Sequence, residues 1–140
     1  MKARILTDAT PTISKRSVEV TIGEKTYDMI LTSAATLAIT EKFGGLAELG
    51  KAMAGNGDAD AIKNTLWLVT LLCNQSVAIH NLWHPESPEP KLTEEAVMLL
   101  TTPEDFKEFA EKVTIAITKG ARSEDGNEKT EESEKNTQAG

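Results

Sequence analysis

The stretch DADAIKNTLWLVTLLCNQSVAIHNL, residues 58–82, decides the fold. Asp58 suits the cap of a helix, because its carboxylate can accept from the first free backbone N–H groups. The helix it opens is predicted to run from Ala59 to Leu82. At a rise of ~1.5 Å per residue that is about 36 Å, close to the width of a small domain. Ile62, Leu66, Val69, Cys73 and Val77 share one side of this helix, and Leu68, Leu71, Leu72, Ile79 and Leu82 lie on others. A helix apolar on several faces is either buried on most sides or packed against a second subunit.

Upstream, Val18-Glu19-Val20-Thr21-Ile22 alternates apolar and polar residues, the period-2 pattern of a half-buried strand. Gly23-Glu24 follows, and Thr26–Leu31 is a second candidate strand, so the pair reads as a hairpin. Two strands alone are marginal in water, so this hairpin is expected to lie on the helices that follow it. Thr32 or Ser33 can cap a helix that continues to Phe43. Gly44 and Gly45 then interrupt the pattern, at a cost of roughly 1 kcal/mol each inside a helix. They read as a helix joint, in which a residue past the last turn goes left-handed. Leu46 to Met53 resumes as a short helix and stops at Gly55-Asn56-Gly57.

Downstream, His84-Pro85-Glu86-Ser87-Pro88-Glu89-Pro90 is a stiff connection. Thr93-Glu94-Glu95 opens a short helix to Leu100. Thr102-Pro103-Glu104-Asp105 opens another, with the stripe Phe106, Phe109, Val113, Ala116 and Ile117, ending at Lys119-Gly120. From residue 121 to 140 no apolar side chain larger than alanine occurs, so this acidic tail is expected to be disordered. The expected organisation is a loose N-terminal arm over 1–16, a single mostly helical domain over 17–120 and the tail over 121–140. The fold class is mainly α (α+β), a short N-terminal β-hairpin followed by about five helices.

Bulk properties narrow the function. Of 140 residues, 39% are hydrophobic and few are aromatic, enough for one modest core of the aliphatic kind that packed helices use. The net charge is −7, and no Lys/Arg cluster longer than Lys15-Arg16 occurs, which argues against nucleic acid and anionic membranes as partners. Cys73 is the single cysteine, so a reducing, cytoplasmic setting is expected. The first residues lack the apolar stretch of a signal peptide. The longest apolar run, Leu66–Cys73, falls far short of the ~20 residues that span a bilayer.

Few residues suggest chemistry. His80 and His84 stand at i and i+4, with Cys73 seven residues before His80 on the same side. Zinc proteases use H-E-x-x-H, whose glutamate polarises the metal-bound water; here Asn81 takes that place. His84 also precedes Pro85, which disfavours helical geometry there. The alternative is a helix end with a histidine near the last carbonyls. The glycines of FGGL lack the spacing and following Lys of a phosphate loop, and Asp58-Ala59-Asp60 lacks the remaining ligands of a calcium loop. No catalytic constellation, cofactor site or metal site is assigned, and the chain is expected not to be an enzyme.

The order of segments carries a resemblance. The hairpin V-x-V-x-I-G-x-x-x-Y (Val18 to Tyr27) is followed by a helix ending in E-K-F-G-G-L (Glu41 to Leu46), then by LTEEAVMLL, TPEDFKEFAEKVTIAITKG and a charged tail. This resembles the small tail assembly chaperones of long-tailed bacteriophages and prophages, over Val18–Ala54 and Lys91–Gly120. The resemblance implies a non-enzymatic protein of the host cytoplasm, absent from the finished virion. It also implies two partners, the tape measure protein and the tail tube protein. Such a chaperone keeps the long amphipathic helices of the tape measure protein soluble while tube subunits polymerise around them.

A partner surface of this kind is expected where Leu46, Leu49 and Met53 form a narrow stripe after the glycine joint, with Phe43 flanking it. The competing reading places all four in the core. The apolar middle helix also allows self-association into a homo-oligomer. Two other functions remain open from sequence: an acidic helical adaptor or regulatory subunit unrelated to phage, and a metal-binding hydrolase using His80 and His84.

Overall fold

The computed structural model describes residues 15–54 and 58–121. The expected arm up to residue 14 and the tail from residue 122 lie outside these. The chain runs β1 (Ser17–Ile22), β2 (Lys25–Ile30), α1 (Ser33–Phe43), α2 (Leu49–Met53), α3 (Ala59–Trp83), α4 (Glu94–Leu100) and α5 (Asp105–Ala121). The fold is mainly helical, with an N-terminal hairpin followed by five α-helices among the described residues.

β1 and β2 pair antiparallel through a two-residue turn, with Val18 opposite Met29, Val20 opposite Tyr27 and Ile22 opposite Lys25. The alternation of β1 puts Val20 and Ile22 into the core at 1% exposure each. The hairpin does not stand alone: β2 lies chiefly against α3, and β1 against α5. Lys112 and Lys119, seven residues apart on α5, donate from Nζ to the carbonyls of Glu19 (2.8 Å) and Ser17 (3.2 Å). These bonds satisfy acceptors on the strand edge that α5 covers.

Each helix start is dictated locally. Thr32, Asp58 and Thr93 accept from the backbone N–H three residues on, at 3.0, 2.9 and 3.0 Å. At α5 the Asp105 carboxylate accepts from the Thr102 N–H at 2.8 Å, the reciprocal half of a capping box. α1 ends at Gly44, whose φ of 98° is the left-handed closure that glycine allows without steric cost. Gly45 (φ 153°) then leads into a single 3₁₀ turn, Leu46–Glu48, before α2. The segment read as one short helix is thus a tight turn followed by little more than one α turn.

α3 forms the centre. Leu68, Val69, Leu72 and Cys73 are fully buried, and Ala61, Leu66 and Val77 nearly so. Its buried hydroxyls, Thr65 and Thr70, donate to carbonyls one turn back, so neither is left unmatched. The last turn differs: Leu82 is 75% exposed and Trp83 62%. The expected wrapping on most sides holds for the first five turns and fails at the end, where the chain leaves along the proline-rich segment. α5 reaches Ala121 with Gly120 inside its last turn, at a position where an added Cβ would stand 2.5 Å from Cβ of the buried Leu31.

Candidate functional site

α2 is held to the core by one face. Asn64 of α3 donates to the Ala52 carbonyl at 2.9 Å, and Leu49 is buried at 5% exposure. Just before the joint, Phe43 meets Trp67 edge-on with ring centroids 5.7 Å apart, and the Lys42 ammonium sits 5.1 Å from the centre of the Trp67 ring. The Asn64 bond and buried Leu49 leave Gly50 facing outward on α2, with Ala54 exposed just past its end.

That outward side is one wall of an open groove of about 530 Å³. Gly50 and Met53 of α2 and Ala54 just past its end line one side, and Ala110, Glu111, Thr114 and Ile115 of α5 the other. The lining is mostly apolar. Ile115 is 47% exposed, although neighbouring Val113 and Ala116 are fully buried in the core. Glu111 supplies the charge, and among the described residues it forms no ion pair; Glu48 pairs with Lys51, and Glu108 with Lys112. Small residues recur four apart on both walls, Gly50 with Ala54 and Ala110 with Thr114, so both backbones lie close to the groove surface. A Cβ added at Gly50 meets nothing within 4 Å.

The stripe expected to face a partner is placed differently. Leu49 belongs to the core, and Phe43 and Leu46 pack half-buried against it. Leu49 as an open contact residue is therefore a correction: one hydrophobic residue per turn of so short a helix is needed to hold it down. Of the four, Met53 alone reaches the groove. The residues on the other side of the helix, Gly50 and Ala54, carry the open wall, and hydrophobicity gave no signal for them.

The histidine pair lies elsewhere, at the end of α3. The two rings have centroids 4.9 Å apart and tilt by 32°. His80 Nε2 is 3.1 Å from the Ser87 carbonyl, and His84 Nδ1 is 3.7 Å from a Glu86 carboxylate oxygen. His84, with φ −132° and ψ 64°, has left the helix, as a residue before proline does. Cys73 does not join them: it is buried among apolar side chains, and its thiol pKa is pushed up to about 12 by burial and then by Asp28. Among the described residues no group of three or more His, Cys, Asp or Glu side chains is placed to hold a metal ion.

A second apolar surface is formed by Met98, Leu99 and Leu100 at the end of α4, each more than half exposed. No helix among the described residues is long and apolar enough to cross a membrane. Comparison with protein-family models, with curated proteins and with solved structures finds no match.

Proposed function

We propose that this chain is a non-enzymatic tail assembly chaperone of a long-tailed bacteriophage or prophage, which binds helices of the tape measure protein. The observation that carries the reading is the open groove between α2 and α5, mostly apolar in its lining, the kind of surface on which an amphipathic helix lays its apolar face. The order of segments supports it: hairpin, helix, glycine joint and two late helices follow the pattern on which the resemblance rests. The charge supports it as well, since a net −7 keeps a crowded assembly intermediate soluble. In this account the chaperone works in the host cytoplasm, holds tape measure helices apart until tail tube subunits enclose them, and is then released.

Co-expression with the product of the neighbouring tape measure gene tests the reading. The tape measure protein should move into the soluble fraction and co-elute with the chaperone. A tape measure protein that stays insoluble and elutes alone contradicts it.

A further inference from the structure

Glycine is the poorest helix former after proline, so a glycine within a helix calls for a reason. Gly44 and Gly45 have one in their positive φ. Gly50 does not: its φ is not in the left-handed region, and nothing in this chain comes within 4 Å of where its Cβ would be. Neither local geometry nor internal packing explains it. What the missing side chain leaves is bare helical backbone on the wall of the groove.

The facing wall matches. Ala110 and Thr114 keep the α5 backbone near the surface as Gly50 does for α2, and such small residues let a third helix approach closely. Both walls are helical, so an incoming strand would find no sheet edge to extend. Met53 and Ile115 add apolar contact, and methionine adapts its shape to what it meets. Glu111 is the charge on the lining and has no ion-pair partner among the described residues.

We propose that the groove receives one amphipathic helix of a partner protein, seated with its backbone against Gly50 and carrying a Lys or Arg beside its apolar stripe that pairs with Glu111. The inference rests on the chaperone reading and specifies the chemistry of the segment it binds. The chain's net charge of −7 favours the same basic character in the partner.

The test uses the full chain and two synthetic amphipathic helical peptides, identical except that lysines flank the apolar stripe of one and glutamates that of the other. Fluorescence anisotropy should show the lysine peptide binding roughly tenfold tighter or more. Gly50→Leu projects an apolar side chain into the groove from a position where an added Cβ meets nothing within 4 Å. It should weaken lysine-peptide binding by about tenfold or more, with a thermal midpoint unchanged or raised. Glu111→Lys should reverse the preference between the peptides. Affinity for the lysine peptide kept within about twofold by Gly50→Leu, or a preference unmoved by Glu111→Lys, overturns the proposal. So does a dimer of the free chain that Gly50→Leu dissociates, because a second copy is then the occupant. Peptide binding as expected without co-purification of the tape measure protein supports the groove and removes the chaperone reading. Co-purification that survives Gly50→Leu does the reverse.

Discussion

The side chain of Asn74 and the backbone of Leu92 form a closed pair. The amide accepts from the Leu92 N–H at 2.7 Å and donates to the Leu92 carbonyl at 2.7 Å. Seven residues on, and so on the same face of α3, Asn81 repeats the arrangement with Glu89 at 2.7 and 3.1 Å. Two asparagines thus stand in for a neighbouring strand and fasten the proline-rich segment along the helix. Asn74→Ala strips a partly buried N–H and carbonyl of their partners and should cost about 1–3 kcal/mol. Asn81→Ala, at an exposed pair that water replaces, should cost less. Urea denaturation of the two variants checks the order.

Leu49 sits among core side chains beneath α2, at 5% exposure. Leu49→Asp places a charge there with no partner, and burial of an unpaired carboxylate exceeds the few kcal/mol that hold a small domain together. The variant should lose its helical circular dichroism at 25 °C. A folded Leu49→Asp protein would mean that α2 swings free of the core.

Gly44 closes α1 at φ 98°, where a Cβ is strained whatever space surrounds it. Gly44→Ala should lower stability by ~1 kcal/mol or more. Gly44→Asn should recover part of the loss, since asparagine tolerates the left-handed region better than alanine. Thermal melts of the pair separate a demand of the backbone from a demand of packing.

Asp28 lies directly across the ladder from Glu19. Partial burial of its carboxyl raises its pKa above the ordinary 3.8, and the Glu19 charge adds to the rise. A folded-state pKa above the unfolded one means that the native chain binds the proton more tightly. The stability this contributes is complete below the unfolded value and is lost as pH rises through the folded one. Asp28→Asn should therefore raise the thermal midpoint at pH 7 and leave it nearly unchanged near pH 3. Equal effects at both pH values would show that charge is not the cause.

Much of this fold is legible in the sequence because its signals are local. Thr32, Asp58, Thr93 and Thr102 mark helix starts through bonds made within three or four residues, and the alternation from Val18 to Ile22 gives the strand its buried face. The groove was not legible for the opposite reason. Whether Leu49 or Gly50 faces outward depends on Asn64, which lies on α3 and bonds to the Ala52 carbonyl of a helix too short to show a period of its own. The role of Gly120 is hidden likewise, since the Leu31 side chain that excludes a Cβ there comes from the strand end far earlier in the chain.

Hydrogen exchange of the protein, alone and with the tape measure protein proposed as its partner, tests the central claim most directly. Binding in the groove predicts slower exchange in complex over residues 49–54, α2 and the residue after it, and over 110–115 of α5, with residues 98–100 of α4 unchanged. Protection confined to α4, or none at either groove wall, would contradict it.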